Sequence, residues 1–168
     1  DQNIRKSEGS EAELDDFVGY RCRTNYRTPV SIARFMMEYS PYKFECANDL
    51  PGRGVGVHRY EDPKEQSKIV RSIIQEHIKD GFSVEDIVVL SCRGIKSSAF
   101  SGKKRIGNLA LRQFTSEYDL FGNQVMTDGK IHFDSIYRFK GQQAPAVIVV
   151  DLDPDEADSL QSWKTMHA

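Results

Sequence analysis

Apolar residues along this chain alternate between helical spacing and short unbroken runs. Ile32, Phe35, Met36 and Tyr39 recur at intervals of three and four, which predicts a helix with one buried side. Thr28-Pro29 ahead of them offers an N-cap and a first helical residue, and Pro41 ends the element. A second helix is predicted to start at Asp62-Pro63, carry Ile69, Ile73, Ile74 and Ile78 on its apolar side, and close at Asp80-Gly81. Between these helices, residues 52–60 are expected to lead into a short strand. Ile87-Val88-Val89-Leu90 is a continuous apolar run, as in strands buried on both faces of a parallel sheet, and Ala146-Val147-Ile148-Val149-Val150 is the strongest such run in the chain. Residues 131–134 read as a further short strand, and residues 135–143 as a turn with a short helix. Residues 106–118 fit helix or strand equally, and the Ser/Gly/Lys-rich stretch 93–104 reads as a surface loop.

Strands alternating with helices predict an α/β fold with a mostly parallel sheet. Such sheets bind ligands beyond the carboxyl ends of their strands. Leu90-Ser91-Cys92-Arg93 and Val150-Asp151-Leu152-Asp153 leave strands at ends of this kind. The polar, acidic residues 1–16 read as a connector, residues 17–153 as one domain, and residues 154–168 as a polar tail.

The chain of 168 residues is long enough for one core, and its 39% hydrophobic and 29% charged residues are ordinary for a globular domain. No stretch of about 18 apolar residues occurs, so no membrane helix is expected. No apolar segment follows Asp1 to Lys6, so no secretory signal is expected there either. Cys22, Cys46 and Cys92 are far apart and odd in number, and the four histidines are scattered. A disulfide framework and a metal site are therefore not expected, and a cytoplasmic setting is. The net charge of −2 lacks the basic excess of a stand-alone nucleic-acid binder, so any such contact must be local.

Two segments imitate phosphate loops. Residues 97–104 (SSAFSGKK) lack the first glycine of a P-loop and put a lysine where a hydroxyl should meet magnesium. Gly52-Arg53-Gly54-Val55-Gly56 precedes a predicted strand, whereas a dinucleotide fingerprint follows one. Both are read as flexible turns. Two further segments carry more chemistry. Asn25-Tyr26-Arg27-Thr28-Pro29 sets an aromatic that can stack on a base beside a guanidinium that can grip a phosphate, unless Tyr26 is core and Arg27 is paired. Residues 134–143 (DSIYRFKGQQ) place a hydroxyl, cations and a glycine on a turn between strands, which is either a phosphate-binding turn or a solvated basic one.

Taken in order, these segments resemble superfamily 1A helicases of the UvrD/Rep type. Asn25-Tyr26-Arg27-Thr28 is similar to their motif IV, NYR(S/T), and residues 135–143 to their motif V, T-x-H-x-x-K-G-x-E, ahead of a hydrophobic strand. Gln2-Asn3-Ile4 resembles the end of motif III, and residues 83–90 (SVEDIVVL) the strand between motifs IV and V. The resemblance implies the second RecA-like (P-loop NTPase-like) domain, three-layered and without Walker motifs of its own. It implies ATP as cofactor, with Mg²⁺ held mainly by a first RecA-like domain of the same polypeptide, and single-stranded DNA as partner. Gln2 would sense the γ-phosphate, Tyr26 would stack on adenine, and Arg27 would act catalytically as an arginine finger. Gly141 and Gln143 would lie near the nucleotide, and Ser135, Tyr137 and Lys140 near DNA. Tyr137 stands in place of the usual histidine, and Gln143 in place of a glutamate. Motif VI is not present, so the chain by itself is expected to hydrolyse no ATP.

Two other readings stand beside this one. A non-catalytic interaction module on a RecA-like scaffold suits the acidic balance and the motif V departures. A Rossmann-type domain has only the Gly52–Gly56 run in its favour.

Overall fold

The computed structural model describes residues 24–39 and 45–152. Gln2, the connector 1–16 and the tail 154–168 lie outside the described residues. The chain divides into two compact units, the first reaching Val57 and the second starting at His58.

In the first unit, strand β1 (Thr24–Asn25) pairs in parallel with β2 (Glu45–Cys46), and helix α1 (Val30–Tyr39) lies between them in sequence. The helix begins just after Pro29, whose carbonyl accepts from the Ala33 N–H at 3.0 Å. The preceding turn is closed by Asn25 and not by Thr28, the expected cap. The Asn25 Oδ1 accepts from the backbone N–H groups of Arg27 and Thr28, both at 3.0 Å. The strand expected within residues 52–60 does not form. Gly52 and Gly54 sit at φ +62° and +90°, left-handed values that interrupt an extended chain. A Cβ on Gly52 would also press on Ser31 and Pro29, so only glycine fits there.

The second unit opens with helix α2 (Pro63–Lys79). The Asp62 carboxylate caps it by accepting from the N–H groups of Lys64 (2.7 Å) and Glu65 (2.8 Å). Gly81, at φ +95°, turns the chain away beyond its end. Val70 and Ile74 are the buried apolar positions of α2, with Ile73 and Ile78 packed beside them. A short 3-10 turn, Val84–Asp86, then leads into β3 (Ile87–Ser91), which is buried throughout.

Residues 106–118, which fitted helix or strand equally, fall into strands. These are β4 (Arg105–Ile106, continuing through a tight turn at Gly107), β5 (Leu109–Arg112) and β6 (Phe114–Tyr118). Strand β7 (Gln124–Met126) pairs back on β6 as a separate hairpin. Strand β8 (Ile131–Ser135), the one-turn helix α3 (Ile136–Phe139) and β9 (Ala146–Val150) complete the unit. The main sheet has the order β4-β5-β8-β3-β9. The pairs β5–β8, β8–β3 and β3–β9 are parallel, and only the β4–β5 edge is antiparallel. The sheet is thus mixed, with a parallel centre.

One face of this sheet carries the main core, in which Ile87, Val89, Phe133 and Ile148 pack with Val70 and Ile74 of α2. On the other face, Val88 and Leu90 pack with Ile136 and Phe139 of α3. β9 departs from expectation. Ala146, Ile148 and Val150 are buried, but Val147 and Val149 stay 44% and 45% exposed. The strand lies at the sheet edge, and α3 has too few residues to cover it. Close packing also explains Gly129, because a Cβ there would overlap the backbone of Leu111 and Arg112. No helix among the described residues is long and apolar enough to cross a membrane.

Candidate functional site

The carboxyl ends of β3, β8 and β9 lie side by side, because these strands are parallel neighbours. Asp151 follows β9 directly, at φ +58°, and is 2% exposed. Its Oδ2 accepts from the hydroxyls of Ser91 (2.7 Å) and Ser98 (2.5 Å), and its Oδ1 from the Ala99 N–H (3.1 Å). The buried Gln66 of α2 completes the set when its amide is oriented by hydrogen bonding. Its NH₂ then donates to Asp151 Oδ1 (3.2 Å), and its carbonyl accepts from the Asp151 N–H (2.7 Å). Asp151 therefore fastens the loop after β3 to the end of β9. Phe100 of the same loop is fully buried and packs against Phe133 at 6.0 Å between ring centroids. Residues 93–104 are therefore the surface loop expected, anchored at its middle by Ser98, Ala99 and Phe100. The P-loop imitation within them is also explained, since a carboxylate occupies the amide and hydroxyl that a phosphate would need.

The anchored loop forms one wall of a crevice of about 380 Å³. Arg93 and Lys96 come from the loop, and Ser135, Tyr137 and Arg138 from the end of β8 and from α3. Phe114 and Ser116 of β6 form a third side, and no carboxylate among the described residues lines the crevice. Arg138 is held on three sides. Its Nε meets Asp134 Oδ1 at 3.2 Å, its terminal nitrogen donates to Gln124 Oε1 at 2.7 Å, and its guanidinium lies 4.2 Å over the Phe114 ring. Asp134 is itself buried, so Arg138 balances that charge, and Arg93 and Lys96 are two further cations on the crevice wall. Ser135 is only 7% exposed, and its Oγ accepts from the Arg138 N–H at 3.3 Å as the cap of α3. The cap uses the hydroxyl as an acceptor and leaves its proton to donate into the crevice.

The anticipated residues divide among four places. Ser135 and Tyr137 meet in the crevice. Lys140 and Gly141 are exposed at the far end of α3, where Gly141 turns the chain at φ +83°. Gln143 lines a second, wider groove of about 760 Å³ together with His132 and Asp134. Tyr26 and Arg27 belong to the first unit. There Tyr26 is 73% exposed, so it is not a core residue, and the Arg27 guanidinium pairs with no carboxylate among the described residues. Their turn is braced by Asn25 and by Asn48, whose Nδ2 donates to the carbonyls of Tyr26 (3.1 Å) and Thr28 (2.9 Å). An exposed aromatic and an exposed guanidinium on a braced turn fit the base and the phosphate of a nucleotide. Sequence reasoning missed Arg93, Lys96, Phe114 and Ser116. The only available signal was that Arg93 leaves β3 at its carboxyl end.

Burial pushes the His132 imidazole below its usual range, and Arg112 and Arg138 add to this while Asp134 opposes it. The folded state thus binds the proton more weakly than the unfolded chain. Stability from this group is complete above the ordinary value of 6.5 and is lost as pH falls through the lower folded value. Replacing His132 with Gln is expected to flatten the acid limb of a stability–pH curve below about pH 6.5, measured by urea unfolding at several pH values. An unchanged acid limb would contradict this assignment.

No family model, curated protein or solved structure matches the chain.

Proposed function

We propose that this chain is the second RecA-like motor domain of a superfamily 1A, UvrD/Rep-type DNA helicase or translocase. The observation that carries the reading is the crevice beyond β3 and β8, where Arg93 and Lys96 face the Ser116 and Ser135 hydroxyls with Phe114 and Tyr137 alongside. Cations, hydroxyl donors and aromatics in one crevice suit a nucleic-acid single strand. Its position beyond parallel strand ends is where open α/β sheets bind ligands. The resemblance to motifs IV and V adds the order of the chain. The motif V segment runs from the end of β8 through α3 and a turn at Lys140–Gly141 towards β9, and the motif IV segment forms a braced turn before α1.

In this reading Tyr26 stacks on adenine and Arg27 reaches the γ-phosphate across a cleft shared with a first motor domain, and the resemblance gives nucleotide roles to Gln2, Gly141 and Gln143 as well. That first domain brings the Walker motifs and most of the Mg²⁺ ligands, so the chain by itself hydrolyses no ATP. Bound ATP supplies the energy of each step, and the crevice residues hold the phosphates of the strand being moved. Lys140, beyond α3, adds to the DNA side. The odd number and wide spacing of the three cysteines suit a reducing, cytoplasmic setting.

The test is binding of a fluorescent single-stranded oligonucleotide at a series of salt concentrations. Single-strand affinity falls with salt by a slope of about 0.7 per phosphate contact. The double variant Arg93→Gln, Lys96→Gln is expected to weaken binding and to reduce that slope by about 1.4. A slope that does not change would remove the crevice from the DNA interface.

A further inference from the structure

The β6–β7 hairpin carries the two most exposed large apolar side chains of the described residues, Leu120 and Phe121, with Tyr118 beside them. Leu120 is 101% exposed, Phe121 89% and Tyr118 61%. They stand on a turn that is locked in place. The Asp119 Oδ1 accepts from the N–H groups of Phe121 and Asn123, both at 2.8 Å, and its Oδ2 accepts from Asn123 Nδ2 at 3.0 Å. The Asp119 N–H donates to the Asn123 carbonyl at 2.9 Å, and Gly122 turns the chain at φ +80°. A turn tied at this many points cannot fold its tip back onto the sheet.

The hairpin is also continuous with the crevice. Phe114 pairs with Met126 and Tyr118 with Gln124, so residues 115–117 bulge opposite Val125 alone. Within the bulge Ser116 takes φ +73°, a strained value for a residue with a side chain, and it lines the crevice. Phe114 lines the same crevice beneath Arg138, and Tyr118 meets its ring edge-on at 5.2 Å between centroids. An aromatic path therefore runs from the basic crevice along β6 to the tip.

We propose that the β6–β7 hairpin is the base-contacting arm of the interface. A single strand whose phosphates rest on Arg93 and Lys96 lays its unpaired bases on Tyr118 and Phe121, with Leu120 packing beside them. A duplex hides its base faces, so the arm selects single strands. Every base has a π face, so it does so with little regard to sequence. The inference rests on the reading of the crevice as a phosphate-binding site.

The experiment measures binding of the full chain to three fluorescent probes of equal length: a single-stranded oligothymidine, an abasic strand with the same phosphates, and a duplex. The wild type is expected to bind oligothymidine more tightly than the abasic strand, by about tenfold. The double variant Leu120→Ser, Phe121→Ala is expected to lose that preference while keeping its abasic affinity, salt slope and thermal unfolding. A parallel variant, Arg93→Gln with Lys96→Gln, is expected to weaken binding to both single strands. Equal wild-type binding of oligothymidine and abasic strand, or a tip variant that keeps the preference, overturns the arm, leaves the phosphate crevice standing, and turns the exposed tip into a surface for a protein partner. Wild-type binding to no probe overturns both.

Discussion

On the motor reading proposed above, Arg27→Ala is expected to lower DNA-stimulated ATP turnover by about 10³–10⁵-fold when the chain is joined to a Walker-bearing first motor domain. A guanidinium at the γ-phosphate neutralises charge that develops only as the phosphoryl group transfers, so its loss falls on turnover more than on nucleotide binding. Arg27 is suited to such a test because it is exposed and its side chain has no partner among the described residues. Only its backbone N–H is engaged, with Asn25, and alanine keeps that bond. The fold should therefore survive, as circular dichroism and urea unfolding would check. Tyr26→Ala is the companion variant. It removes a stacking surface, so it should raise the KM for ATP with a smaller effect on kcat. A turnover that Arg27→Ala leaves within a few-fold of wild type would return the chain to the interaction-module reading.

Asp151→Ala is expected to destabilise the second unit by about 3–5 kcal/mol, a large part of the 5–15 kcal/mol that holds a typical domain. Four donors converge on this buried carboxylate: the Ser91 and Ser98 hydroxyls, the Ala99 N–H and the Gln66 amide. Alanine leaves all of them facing a gap, and it takes up φ +58° poorly. Asp151→Asn should cost less, about 1 kcal/mol. Asparagine tolerates left-handed backbone, its oxygen can keep the Ala99 and Gln66 bonds, and the two hydroxyls can turn to accept from its NH₂. Asp151→Gly separates the two causes, since it relieves the backbone but not the orphaned donors. Urea midpoints should therefore rank wild type, Asn, Gly and Ala in falling order, with the slope unchanged. Single-strand binding should weaken with the same ranking, because Asp151 fastens the loop that presents Arg93 and Lys96. An alanine variant within about 1 kcal/mol of wild type would show that this network does not hold the loop.

The parts of the fold legible in the sequence are those set by local chemistry. Asp62-Pro63 and Asp80-Gly81 bound α2 because a carboxylate cap, a preset φ and a glycine turn act within a few residues. The Ile87 to Leu90 run gave β3 for the same reason. The apolar run of β9 looked the same, yet whether both faces are covered depends on what packs against them, and here Val147 and Val149 are left exposed. β4 is only two residues long, too short for any period to mark it. The strand expected from Gly52 to Tyr60 failed because Gly52 and Gly54 take left-handed turns.

The site divides along the same line. Ser135 and Tyr137 were legible because a short segment carries them onto a single turn. Arg93, Lys96, Phe114 and Ser116 were not, because only the adjacency of β3 with β8, and the bulged hairpin before β8, bring them to Ser135. The sequence marked Asp151 only as a residue leaving a strand end, and its role as a loop anchor was hidden because its partners come from α2, β3 and the loop after β3.

The measurement that bears most directly on the motor reading is ATP hydrolysis by this chain joined to its first motor domain, with and without single-stranded DNA. The account predicts turnover that rises steeply on addition of single strands and is absent from the 168-residue chain alone. Turnover that is indifferent to DNA, or hydrolysis by the chain alone, would contradict it.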